Sequence, residues 1–162
     1  MMSTAYIQVN VSQDVLGIEY AATLKNIYAL AAGIANGLNY GDNFQSVLLS
    51  NSIREMNRFI KKISDSKLNI NHSAYLGDLL VTAYSLFSRN RRFGNMIGRG
   101  YSVKGAQMEM NMVAEGYYAS EPAYILNKSI GNNSPIIDTV YGILYLHKSP
   151  KKSFLKLSKK LT

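Results

Sequence analysis

Residues 24–38 read LKNIYALAAGIANGL, and the fold class turns on them. Leu24, Ile27, Tyr28, Ala31, Ile34 and Leu38 recur at steps of three and four, the spacing of one face of an α-helix. Glycines at 37 and 41 supply the stop signals. Small side chains crowd the same region (Ala21, Ala22, Ala29, Ala32 and Gly33) and let another element approach closely. From this helix onward the periodicity stays helical, so the expected fold class is all-α.

Asp42 can cap a second helix, in which Leu49, Ile53, Met56, Ile60 and Ile63 repeat at helical steps. Residues 65–73 are polar and read as a loop. Gly77-Asp78 opens a short helix and Ser88 another. Ser102 starts a third, with Val103, Ala106, Met110 and Val113 on one face. Ser120 before Glu121-Pro122, Ser134 before Pro135 and Ser149 before Pro150 each pair a cap residue with an early-helix proline. They predict three more helices. Upstream of all these, Ile7, Val9 and Val11 alternate with Gln8 and Asn10, so residues 6–11 read as one short strand. It has nothing in this chain to pair with, which points to a missing partner segment. The expected division is a residual strand and linker over 1–13, then one helical domain over 14–162 that includes a Lys-rich terminal helix.

At 162 residues the chain has room for one domain with a sizeable core. A hydrophobic share of 47% against 17% charged residues excludes a disordered chain. No apolar run approaches the roughly 18–20 residues that span a bilayer. Met1 to Val11 lacks a charged start followed by an apolar stretch, so no signal peptide is read there, and a cytoplasmic setting is expected. The sequence has no cysteine, which excludes disulfides, zinc–thiolate sites and cysteine nucleophiles from this chain. The formal charge of +8 favours anionic ligands. Two clusters carry it: Arg89, Arg91 and Arg92, and a tail with Lys148, Lys151, Lys152, Lys156, Lys159 and Lys160. The tail reads as a solvated helix face; Phe154, Leu157 and Leu161 on one side also fit a membrane-surface helix, but a terminal helix docked on the core is the preferred reading.

The strongest local signal is Ser88-Arg89-Asn90-Arg91-Arg92-Phe93-Gly94. A serine at a helix start leaves free backbone N–H groups, and these with the helix dipole form an anion site. Arginine adds a planar fork matched to phosphate oxygens, and Asn90 a donor and acceptor for hydroxyls. The plainer reading is that Arg91 and Arg92 solvate a helix face. Asp78 stands before Leu79-Leu80-Val81, where an acid is costly to bury unless it caps a helix or meets a charge. Thr82, one turn on, can face the same pocket. Lys25 lies among small residues, where partial desolvation suits a lysine to proton transfer, although a mid-helix lysine is most often a surface residue. Asn26 beside it is equally ambiguous. Glu115 is read near a helix end, an unfavourable place for a carboxylate unless a ligand faces it. His72 and His147 have no second ligand at metal spacing, so no metal is expected. Glycines 94, 98 and 100 do not make a dinucleotide-binding fingerprint.

Together and in this order, five blocks resemble the C-terminal domain of bacterial-type NAD(P)-dependent glycerol-3-phosphate dehydrogenases. They are Leu24-Lys25-Asn26, residues 31–43, Leu76-Gly77-Asp78-Leu79 with Thr82, Ser88 to Gly94, and Val113-Ala114-Glu115-Gly116. The resemblance covers about residues 14–147. It implies a multi-helix domain of the 6-phosphogluconate dehydrogenase C-terminal-like type. It also implies reversible hydride transfer between NAD(P)H and dihydroxyacetone phosphate to give sn-glycerol 3-phosphate, in glycerol-3-phosphate metabolism and phospholipid biosynthesis. By the resemblance, Lys25 is the acid/base at the carbonyl or hydroxyl oxygen. Asp78 holds the substrate hydroxyls and orients that lysine, with Asn26 and Thr82 nearby. Ser88, Arg89 and Asn90 clamp the phosphate and glycerol, while Arg89, Val113 and Glu115 touch the NAD or NADP.

The family often has glycine where this chain has Tyr75, Ala21 and Ala22, changes that alter the pocket wall. In the family a dinucleotide-binding domain, absent from this chain, supplies the main cofactor site and a second active-site lysine. The expected partners are therefore glycerol 3-phosphate or dihydroxyacetone phosphate, that domain, and a second copy in a homodimer. Nucleic acid and integral membrane association are not expected. The alternative reading is a non-catalytic module that binds phosphorylated metabolites.

Overall fold

The computed structural model describes residues 3–64, 69–110, 112 and 114–162. Its shaft is α1 (Val15–Gly37), opened by Asp14, whose carboxylate accepts from the Gly17 amide at 3.1 Å. Every residue from Ile27 to Ala35 is buried, so the helix is covered on all sides rather than along one stripe. Small side chains make that enclosure sterically feasible. The closest neighbour is α4 (Arg89–Gly98), which meets α1 glycine to glycine. A Cβ at Gly33 would lie 2.1 Å from the Arg91 carbonyl oxygen, and one at Gly94 would lie 2.2 Å from that of Leu30. Backbones packed this tightly leave α4 little freedom to slide.

Helix α2 (Asp42–Ile63) is amphipathic and buries Leu48, Leu49, Ser52, Met56, Phe59 and Ile60. Its cap position is Gly41; Asp42 sits inside the first turn and acts through the helix dipole instead of as the expected cap. A π-helical turn (Ser73–Gly77) runs directly into α3 (Asp78–Tyr84). Then come α4, with Ser88 Oγ accepting from the Arg91 amide at 3.3 Å, and α5 (Val103–Glu109), with Ser102 doing the same for Gly105 at 3.0 Å. Three helices finish the chain: α6 (Glu115–Ser129), α7 (Pro135–Leu144) and α8 (Pro150–Ser158). The fold is all-α. Among the described residues no helix is long and apolar enough to cross a membrane.

Three local expectations are corrected. Residues 6–11 form no strand; Tyr6 and Val11 are 98% and 93% exposed. Alternation alone cannot hold a strand without a ladder partner, and the described residues contain no other strand. Ser120 starts no helix. It lies inside α6, where Gly116, Ser120, Ala123 and Asn127 form the buried face and the Ser120 hydroxyl donates to the Gly116 carbonyl at 2.6 Å. Pro122 is carried in mid-helix, and this buried face overrides the local breaker signal. Met110 falls just beyond the end of α5, and Val113 lies outside the described residues.

The start of α7 shows a device that local sequence does not reveal. Ser134 makes no cap bond; its hydroxyl accepts from Asn132 Nδ2 at 2.9 Å. The orphan amides of Ile136 and Ile137 are taken by the carboxylate of Glu55, on α2, at 3.0 and 3.1 Å. Burial pushes the Glu55 carboxyl up to about 8, against the opposing pull of those two amides and of Arg58.

Candidate functional site

Just before its fully enclosed stretch, α1 presents Lys25 and Asn26 on a half-buried face. Across from them, Asp78 is the first residue of α3, and Lys25 Nζ donates to Asp78 Oδ2 at 2.5 Å. The lysine side chain is 22% exposed and the aspartate 38%, so the pair is partly desolvated yet in reach of water. The Thr82 hydroxyl donates to the Asp78 carbonyl at 2.7 Å; the threonine is tied to the helix backbone, with its oxygen free to accept.

The glycine contact between α1 and α4 sets the third wall. Ser88 caps α4, and the amides of Arg89 and Asn90 open the helix without intrahelical acceptors. Asn90 is buried and knits three helices together. Its Oδ1 accepts from the Gly116 amide at 2.9 Å, which fixes the orientation of its amide group. Its Nδ2 then donates to Asn26 Oδ1 at 3.0 Å, leaving Asn26 Nδ2 to donate to Glu115 Oε2 at 3.3 Å. Gly116 permits this closeness, since a Cβ there would lie 2.6 Å from the Asn26 carbonyl oxygen. Arg89 Nη2 lies 3.6 Å from Glu115 Oε1 at the rim. Glu115 opens α6, so its charge is favoured by the dipole, contrary to the helix-end placement expected.

These walls enclose a cavity of about 450 Å³. Ala22, Lys25 and Asn26 line it from α1, Val81 and Thr82 from α3, and Ser85, Phe87, Ser88, Arg89 and Asn90 from the turn into α4; Glu115 stands at the edge. Asp78 is not on the lining and reaches the cavity through Lys25. The structure thus gathers Lys25, Asn26, Thr82, Ser88, Arg89, Asn90 and Glu115 around one space. Val113 lies outside the described residues. Tyr75 does not line the cavity; it is buried, and its hydroxyl donates to Asp14 Oδ2 at 2.5 Å. Of the substitutions noted in the pocket wall, Ala22 is the one that lines it.

Val81, Ser85 and Phe87 were not singled out by sequence. For Val81 and Ser85 a signal existed, because they follow Asp78 at helical steps of three and seven. Phe87, 93% exposed, carried none.

Chemically, the arrangement offers an ammonium–carboxylate pair on one wall and helix-start amides with a guanidinium on the other. That suits a small ligand with an anionic end and an oxygen that exchanges a proton. The exposed Arg89 and Glu115 side chains add a donor and an acceptor fit for one end of a larger polar cofactor. Among the described residues no glycine-rich strand-to-helix turn cradles a pyrophosphate, and no group of three or more His, Asp or Glu is placed to hold a metal ion.

A family model described as "NAD-dependent glycerol-3-phosphate dehydrogenase C-terminus" matches residues 14–155. The chain is 38% identical over 154 residues to a glycerol-3-phosphate dehydrogenase [NAD(P)+] of Pelodictyon phaeoclathratiforme, covering 95% of this chain and 46% of that protein. It is 39% identical over 160 residues to one from Exiguobacterium, covering 99% and 47%. Among solved structures, glycerol-3-phosphate dehydrogenase from Coxiella burnetii superposes with a TM-score of 0.88 at 31% identity, over 91% of this chain and 46% of that one. The chain spans about half the length of the curated relatives it matches.

Proposed function

Because the chain belongs to the NAD-dependent glycerol-3-phosphate dehydrogenase C-terminal family, we propose that it is the substrate-binding and proton-transfer half of such an enzyme, which interconverts dihydroxyacetone phosphate and sn-glycerol 3-phosphate. One observation carries the reading: Lys25, held by Asp78, and the start of α4 line the same cavity.

The substrate phosphate sits against the first-turn amides of α4, its charge met by the helix dipole and the Arg89 guanidinium. Ser88 and Asn90 contribute through what their cap and bridge bonds leave free, and Asn26 and Thr82 offer polar atoms to the hydroxyls. The carbonyl oxygen lies toward Lys25. When bound, NAD(P)H supplies the hydride to the carbonyl carbon. Lys25 delivers the proton to the oxygen, forming the alcohol O–H as the N–H breaks, and recovers a proton from water. In the reverse direction neutral Lys25 takes the hydroxyl proton. Asp78 holds the ammonium in place and so positions the acid. Arg89, Val113 and Glu115 meet one end of the NAD or NADP.

A dinucleotide-binding domain joined through residues 1–13 carries the rest of the cofactor site. The whole enzyme acts as a cytoplasmic homodimer that supplies sn-glycerol 3-phosphate to phospholipid biosynthesis.

The test mixes the purified chain with a separately expressed dinucleotide-binding half of the Pelodictyon relative and follows NAD(P)H oxidation on adding dihydroxyacetone phosphate. Activity that requires both halves is the expected result. No activity, with both halves folded and associated, points instead to a binder of phosphorylated metabolites without catalysis.

A further inference from the structure

Residues 148–162 carry six lysines and no acid, three quarters of the formal net charge of the whole chain, and the site above uses none of them. Helix α8 docks through Phe154 and Leu157, both buried, and Phe154 packs beside Tyr40 and Phe44 at ring-centroid distances of 6.2 and 6.4 Å. The apolar side of the helix is therefore spent on the core. At 3.6 residues per turn the opposite side of α8 holds Lys152, Leu155 and Lys156 with Lys151 at its flank, and Lys159 and Lys160 follow in the turn after the helix; all six are exposed. Leu155 stands in the middle of that face, 58% exposed. Among the described residues, no carboxylate lies within ion-pair distance of any of these lysines.

From this geometry we infer that the outer face of α8 is a docking surface for a bilayer rich in anionic lipid headgroups. The charges splay over about half the circumference of the helix, with Lys152, Lys156 and Lys160 also bordering a groove against α7, and a laterally extended anionic surface meets the exposed ammonium groups together. Lysines are point charges suited to such a diffuse field, whereas strand-specific phosphate recognition favours the arginine fork. The face offers no exposed aromatic ring on which a nucleic-acid base would stack. Leu155 supplies the single apolar contact at the headgroup boundary. Binding of this kind is peripheral and reversible, and salt screens it.

The experiment sediments the full chain with phosphatidylcholine vesicles made with and without phosphatidylserine. The expected result is retention only on the anionic vesicles, lost as salt is raised. Each lysine contributes roughly five-fold in partitioning. The triple variant K152Q/K156Q/K159Q should therefore partition about a hundred-fold less while keeping its helical circular dichroism. The charge-preserving K152R/K156R/K159R variant should stay within a few-fold of the parent. Equal retention on both vesicle types, or none on the anionic ones, overturns the inference. So does polyuridylate RNA that strips the chain from vesicles at matched phosphate concentration, which would mark the face as a nucleic-acid surface.

Discussion

Replacing Gly94 by alanine tests how the site is positioned. The new methyl would begin 2.2 Å from the Leu30 carbonyl oxygen and 3.0 Å from the Ile34 amide nitrogen. Ordinary van der Waals contact begins near 3.4 Å, so α4 must retreat from α1 by about 1.2 Å. Both obstructing atoms are backbone inside an enclosed helix and cannot swing aside. Asn90 lies one turn earlier on α4, and the same displacement carries its 3.0 Å bond to Asn26 beyond hydrogen-bond range. Overpacking costs about 1–3 kcal/mol, and breaking the buried amide bridge adds about 1 kcal/mol. For a domain of this length the sum lowers Tm by roughly 5–15 °C. The assay is thermal unfolding by circular dichroism, with Gly41→Ala as the control, since nothing lies within 4 Å of a Cβ there and its φ is −76°. A Gly94→Ala protein that melts within a degree or two of that control would refute the reasoning.

Glu55 makes stability depend on pH. Its folded value, about 8, lies above the ordinary 4.5, so its contribution is full below pH 4.5 and is lost as pH rises through 8. Unfolding free energy should fall across that window by about 5 kcal/mol at most, read as a falling melting temperature, and Glu55→Gln should flatten the slope. Pro122→Ala should raise stability by about 1–3 kcal/mol in urea unfolding, because the proline sits in mid-helix; a neutral effect would instead place it at a helix start. Asn90→Ala strands the Gly116 amide and the side-chain Oδ1 of Asn26 and should cost about 1–3 kcal/mol, read as a lower urea midpoint at unchanged slope.

The helical class was legible because Leu24 to Leu38 and Leu49 to Ile63 keep strict helical periods, and periodicity reports burial directly. Serines 88, 102 and 149 were readable as caps because a cap is a local bargain between a side chain and amides three residues on. Where a partner distant in sequence decides, local signals failed. Ser134 resembles a cap, but Glu55 does the capping from 81 residues away. Pro122 resembles a start, but the packed face of α6 runs through it. Residues 6–11 resemble a strand, which no local pattern can hold together. At the site, the residue types were readable from the motif blocks, but their division of labour was not. Asn90 reads in sequence as a free hydroxyl-binding amide, while the structure commits most of it to joining α1, α4 and α6. Asp78 likewise reaches the cavity only through Lys25. Phe87 gave no periodic sign, since it belongs to the turn between α3 and α4.

The central claim is that Lys25, held by Asp78, carries the proton of a carbonyl reduction. Its most direct test fuses the chain to the dinucleotide-binding domain of a relative and compares the parent with Lys25→Ala in steady-state reduction of dihydroxyacetone phosphate. The account predicts that kcat falls by roughly 10²–10⁴ with little change in KM, while Arg89→Ala chiefly raises KM. A Lys25→Ala fusion that keeps the kcat of its parent would contradict it.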